Sequence, residues 1–202
     1  MTKAWGPLGW ATIHSVMAMY SETPTDLEKA LLSRWIESFQ RTIVCERCRE
    51  HFLILLNDYR QRYPNWNASR KDAVLFGLRA HNTVNSKNGK PVYSTEECLR
   101  LLKENIPSER AALMRQSYIV YVRKEWSRDM TMTGISAVKY IKDLITVEQT
   151  YWSHKSFSWS DIVLDESVSP LGPASPVKRQ FHQPTPGYRL NLPKVRFSFL
   201  SS

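Results

Sequence analysis

Cys45-Glu46-Arg47-Cys48 is a pair of thiols that can cycle with a disulfide. Disulfide exchange needs a thiolate, an electron acceptor close to the second sulfur, and access for an incoming thiol. Cys45 falls where a helix is expected to begin, and the unpaired amides of a helix start favour negative charge. Arg41, Arg47 and Arg49 are near in sequence and favour a thiolate as well. The same spacing also suits two structural cysteines, or half of a zinc site that needs two further ligands at metal spacing. Only Cys98 and the scattered His14, His51 and His81 remain as ligands, so the redox reading is favoured and no metal is expected. A thioredoxin-like unit requires strands alternating with helices, a pattern that this chain lacks. The Gly-rich fingerprint of a dinucleotide-binding βαβ unit is absent too. The oxidant is then expected to be a cofactor held by helices.

Two further stretches suit such a cofactor. In His81-Asn82-Thr83-Val84-Asn85-Ser86-Lys87-Asn88-Gly89-Lys90-Pro91, His81, Asn82 and Asn85 share one helix face. Lys87 and Lys90 follow where that helix ends, placed to pair with a pyrophosphate. Upstream, Trp5-Gly6-Pro7-Leu8-Gly9-Trp10-Ala11-Thr12-Ile13-His14 puts an indole and an imidazole on one helical face. Each residue alone has a plainer reading. His81 suits a satisfied buried histidine, Asn82 and Asn85 suit caps or turns, the lysines suit solvated charge, and Trp10 and Tyr20 suit core packing. Their coincidence carries the weight.

In this order and at about these separations, the three elements resemble the flavin-dependent sulfhydryl oxidases of the Erv/ALR type, including viral members. The resemblance covers roughly residues 5–100. It implies an all-α fold, a four- or five-helix bundle that grips FAD non-covalently. It implies that Cys48 lies against the flavin and that Cys45 exchanges with the incoming thiol. Trp10, His14, Tyr20, His81, Asn82, Val84, Asn85, Lys87, Lys90 and Tyr93 match positions that contact the cofactor in that family. The implied activity is thiol oxidation with O₂ as acceptor, yielding hydrogen peroxide. Two departures stand out. Leu78 and Thr95 occupy the positions of a second, bracing disulfide, and Leu102 replaces a tryptophan near the adenine end. Cys98 is out of register for the brace and reads as a buried packing residue. With no second cysteine pair, electrons are expected directly from protein thiols or from a separate thiol carrier. Several relatives are homodimers, so a homodimer is an expectation here.

The elements that must position these groups read as helices almost throughout. Thr25-Asp26-Leu27-Glu28 is a capping box opening a helix with Leu27, Leu31, Trp35 and Phe39 as its apolar stripe. Ser69 and Ser94 suit N-caps of later helices, and Asn88-Gly89 suits a helix stop. Two more helical patterns follow Pro107. One runs from Ser108 to about Trp126 with Leu113, Tyr118, Tyr121 and Val122 apolar. The other runs from about Ile135 to Trp152 with Val138, Ile141, Leu144 and Ile145. The expected division is an oxidase-like domain over 1–106, an additional helical region over 107–155 and an extended basic tail over 156–202.

Charge and composition set the remaining expectations. Of the net charge of +9, five excess charges lie in residues 167–202, which hold six prolines and no acid. Such a segment cannot fold alone and suits docking on a larger assembly, for instance a virion. Phe181, His182, Tyr188 and Arg189 give a weak nucleic-acid signal, and Tyr188 to Phe199 hint at extended pairing. No apolar run is long enough to span a bilayer, and no secretory signal is visible. An intracellular, host-cytoplasmic setting is therefore expected. A structural or docking protein that retains the oxidase bundle is the competing reading.

Overall fold

A computed structural model describes residues 2–172, with side chains from Trp5 onward. From Ala4 to Ser21 the sequence carries no Asp, Glu, Lys or Arg, and this stretch becomes the innermost helix, α1 (Thr2–Met19). Residues Ala11 to Tyr20 are all buried, as a helix without a polar face requires. Its hydroxyls are satisfied locally: Thr12 donates to the Leu8 carbonyl at 2.9 Å and Ser15 to that of Thr12 at 3.0 Å. The chain continues through α2 (Asp26–Thr42), α3 (Glu46–Arg62), α4 (Arg70–Lys87), α5 (Thr95–Asn105), α6 (Ser108–Trp126) and α7 (Met132–Thr150). Single 3₁₀ turns follow at Trp152–His154 and Trp159–Asp161. No strand occurs among the described residues, in line with the all-α expectation. The strand hint at 188–199 lies outside them.

Local chemistry sets the helix ends. Thr25 and Glu28 form the reciprocal capping box, worth about 1 kcal/mol. Ser69 accepts from the Asp72 amide at 3.1 Å and Ser94 from that of Glu97 at 3.2 Å. Gly89, at φ 64°, takes the left-handed position after α4 that side chains disfavour. At the start of α7, a Cβ on Gly134 would collide with the Asp129 carbonyl, so the turn closes only with glycine. Thr131 caps that helix, which begins at Met132 rather than near Ile135.

α4 and α6 both pack on α1, α7 packs on α2 and α6, and one apolar cluster runs through all of them from α1 to Val168. The helices after Pro107 thus share the core of the helices before it. Several stripe assignments are corrected by this packing. Leu27 is 70% exposed, and α2 buries Leu32, Trp35, Ile36 and Phe39 instead. Leu113 of α6 and Val138 of α7 face outward. Arg115 and Glu148 take inward positions there, joined by three hydrogen bonds of 2.9–3.1 Å between α6 and α7. Removing one partner of such a buried pair costs about 3–5 kcal/mol.

Residues 159–172 are laid along α4 and α5 largely by bonds to their own backbone. Trp159 donates its indole N–H to the Ile106 carbonyl at 2.7 Å, and Thr95 donates to that of Glu166 at 2.7 Å. Arg79 reaches the Ser167 carbonyl at 3.1 Å, and Thr83 accepts from the Leu171 amide at 2.9 Å. Lys71 pairs with Asp165 and Glu166. Ile162 and Val168 are buried side chains of this strap. Thr95, one of the two expected brace positions, is thus tied to the strap instead.

Candidate redox and cofactor site

Cys45 is the N-cap of α3 and is disulfide-bonded to Cys48, with Cα atoms 5.2 Å apart. Both are half-buried. The Cys48 amide donates to the Cys45 sulfur at 3.3 Å, so the helix start directs an unpaired N–H at this atom. Arg49 locks the α2–α3 corner: its guanidinium donates to the Ile43 carbonyl at 2.8 Å and lies 5.3 Å from the Trp126 ring centre. Gln40 donates to the Arg49 carbonyl at 2.9 Å. Arg41 and Arg47 are exposed, and among the described residues neither pairs with a carboxylate.

One turn further along α3, Phe52 meets a cluster of rings. Trp10 lies 6.2 Å from Phe52 edge-on and stacks on His81 at 4.2 Å with an interplanar angle of 7°. His14 Nε2 and His81 Nδ1 are 3.0 Å apart, which requires one imidazole to donate and the other to accept. The close approach of α1 and α4 depends on Gly77, where a Cβ would come within 3.3 Å of His14 Nδ1. Burial holds both imidazoles neutral. His14 is pushed well below the usual histidine range by desolvation and then by His81. His81 is pushed down to about 4 by desolvation and then by Lys90. His51, three residues after Cys48, is lowered by burial and then by the charges of Lys87 and Arg47. The end of α4 therefore lies alongside the first turns of α3. Phe52 and His51 were not among the expected site residues. Their signal was spacing, one turn beyond Cys48 on its helix.

The remaining expected residues divide into two groups. Val84 and Asn85 are half-buried on α4, and Lys87 and Lys90 are exposed at its end with no carboxylate partner among the described residues. These continue the ring cluster towards solvent. Asn82 and Tyr93, in contrast, are engaged with each other and with the strap. The Asn82 amide nitrogen donates to the Tyr93 carbonyl at 2.9 Å and the Val168 carbonyl at 2.8 Å, while its oxygen accepts from the Tyr93 amide at 3.2 Å. Tyr20 lies ten residues from Trp10 along α1, about 15 Å at the helical rise. It is fully buried and donates to the Asn67 carbonyl at 3.0 Å. Tyr20 is thus not brought to the ring cluster.

The residues that carry this arrangement fall within a stretch similar to known proteins. Residues 8–107 match the model of the Erv1 / Alr family. The FAD-linked sulfhydryl oxidase ERV2 of Saccharomyces cerevisiae is 28% identical over 102 residues, which are 50% of this chain and 48% of that protein. The FAD-linked sulfhydryl oxidase of African swine fever virus is 28% identical over 102 residues, covering 82% of that protein. The FAD-linked sulfhydryl oxidase ERV1 of Arabidopsis thaliana is 29% identical over 91 residues, covering 46% of that protein. The chain thus spans about half the length of the yeast and plant relatives. Through residues 8–107, with the disulfide and the ring cluster inside them, the chain belongs to the Erv1 / Alr family.

Proposed function

We propose that this chain is an FAD-dependent thiol oxidase that forms disulfides in protein substrates, with O₂ as acceptor and hydrogen peroxide as product. The observation that carries the reading is the Cys45–Cys48 disulfide at a helix start whose next turn brings Phe52 against the Trp10–His14–His81 rings. The donor set suits FAD. Flat rings and neutral imidazoles match a fused aromatic system, and Lys87 and Lys90 match a diphosphate. Trp10, His14, His81, Val84, Asn85, Lys87 and Lys90 would hold it. Asn82, Tyr93 and Tyr20 would act by fixing the helices that carry these groups, with any direct contact secondary. Bound FAD would accept two electrons from the reduced cysteine pair and deliver them to O₂.

The chain's own part is thiol exchange. A substrate thiolate attacks the Cys45 sulfur, the Cys45–Cys48 bond breaks and Cys48 leaves as a thiolate. The second substrate thiol then displaces Cys45, releasing a substrate disulfide and leaving both cysteines reduced. The helix start at Cys45 stabilises the anion in both steps.

Protein thiols or a separate thiol carrier are the proposed partners, acting on a homodimer. The proposed division of the sequence remains 1–106, 107–155 and 156–202, with the part of the last segment beyond the strap docking on a viral assembly in the host cell. Supporting a viral setting, similar proteins occur in viruses. Among the described residues no helix is long and apolar enough to cross a membrane. A docking role without turnover is not favoured, since the relatives are named as oxidases. The test is direct. Purified full chain, supplied with FAD, should show flavin absorbance near ~450 nm and consume O₂ with dithiothreitol. Protein that takes up no flavin and consumes no O₂ would overturn the proposal.

A further inference from the structure

We infer, on the footing of the thiol-oxidase reading, that the groove between the α2–α3 corner and the start of α7 docks the client polypeptide. The geometry points to clients with acidic and apolar residues around the reactive cysteine. The groove holds about 290 Å³ and is lined by Arg41, Arg49, Met132, Ser136, Ala137 and Tyr140. One of its lining residues connects it to the disulfide-bearing turn. Arg49 lies one turn beyond Cys45, and its amide donates to the Cys45 carbonyl at 2.8 Å. Its far wall comes from α7, whose start exposes an unusual run of apolar side chains. Met130 is 86% exposed, Met132 79% and Ile135 60%. Unbranched methionines adapt to varied partners, which suits a surface serving more than one client sequence.

Charge identifies the occupant. Arg41 rests against the Tyr140 ring at 5.9 Å, and Lys139 is exposed seven residues, about two turns, after Met132 on α7. Arg41, Arg47 and Lys139 have no carboxylate partner among the described residues. Asp129 lies beside Arg49, but its carboxylate accepts from the Thr131 amide at 2.9 Å. The rim is therefore net cationic, and Met132, Ala137 and Tyr140 add an apolar part to an otherwise polar lining. A two-fold dimer through this face would set like charges against each other, so a second copy is the poorer fit. An acidic polypeptide flanking a cysteine complements it, and binding there delivers that cysteine to Cys45.

The experiment compares two synthetic dithiol peptides, one with Glu and Leu around its cysteines and one with Lys and Ser, using the full FAD-loaded chain. The unmodified protein should oxidise the acidic peptide with a kcat/KM about tenfold higher, mainly through KM, and salt should shrink the difference. The double variant Met132→Asp with Lys139→Glu should lose that preference while dithiothreitol turnover stays unchanged. Both side chains are exposed, and retained dithiothreitol turnover reports an intact fold. Equal kcat/KM for the two peptides in the unmodified protein would overturn the inference. So would a double variant that keeps the preference, or one whose only change is from dimer to monomer. If the unmodified chain fails to oxidise dithiothreitol, the oxidase reading falls first, and the groove loses its client with it.

Discussion

Cys45 and Cys98 each stand at the start of a helix, yet their surroundings differ in nearly every respect. Cys45 caps α3, is half-buried, accepts an amide hydrogen bond and has exposed arginines nearby. Cys98 sits in the first turn of α5, 8% exposed, under the strap. Its thiol donates towards the Tyr93 carbonyl at 3.8 Å, with Asn82 at 4.0 Å, and burial pushes it up to about 11. Around Cys98, Asn82 joins Tyr93 to Val168, and Thr95 joins Glu166. The comparison separates two uses of sulfur in one small protein. A helix start alone does not make a reactive thiol, because its amides must be free to face the sulfur and water must be able to reach it.

The largest expected effect comes from disabling the open pair. Cys48→Ser should abolish dithiothreitol-driven O₂ consumption while flavin absorbance near ~450 nm persists. Cys98→Ala should leave turnover intact. Undiminished turnover in the Cys48→Ser protein would show that this sulfur is not on the electron path. Next in size is the contrast in thiol reactivity. At neutral pH a thiol near 11 is ionised to about one part in ten thousand. Iodoacetamide should therefore label reduced Cys45 at least about a hundredfold faster than Cys98, as read by peptide mapping of the folded protein. Comparable labelling of the two would erase the distinction.

Asn82 tests the closed side. If its main work is bracing, Asn82→Ala leaves the Val168 carbonyl and both Tyr93 backbone groups without that partner. The cofactor-free protein should then lose about 3 kcal/mol, seen as a lower urea midpoint at unchanged slope. A midpoint that moves only when FAD is bound would instead make Asn82 a cofactor ligand.

What was legible in the sequence follows from how local the cause is. The caps at Thr25, Ser69 and Ser94 act within four residues, and those helix starts were readable from them. Trp10 and His14 share a face by helical spacing alone. The stacking of Trp10 on His81 was not readable, since it depends on α1 and α4 closing over Gly77. The outward positions of Leu27, Leu113 and Val138 were missed because several inward positions go to polar or small residues. Arg115 and Glu148 occupy the α6–α7 seam as a mutually satisfied pair, which breaks the apolar pattern. The strap was the hardest to see. Residues 159–172 hold on to α4 and α5 largely through their own carbonyls and amides, groups that every sequence has, and Val168 is an isolated apolar residue among serines.

The smallest expected effect concerns protons at the ring cluster. Both imidazoles are neutral in the folded chain, whereas an unfolded histidine takes up its proton near pH ~6.5. With the folded values depressed, the unfolded chain binds more protons below that pH, so this contribution is complete above it. It is lost progressively as pH falls towards the folded value, about 4 for His81. Between pH 7 and pH 5 the cofactor-free protein should lose about 2 kcal/mol from His81, with His14 adding in the same direction. That window lies above the range where ordinary carboxylates titrate, which isolates the histidines. Urea midpoints measured across it should fall in the unmodified protein and fall less in His81→Gln, where only His14 still contributes and the new amide keeps a hydrogen-bonding group near it without taking a proton. An equal fall in the variant would mean that the Trp10–His14–His81 cluster is open to water and that its imidazoles behave like those of an unfolded chain.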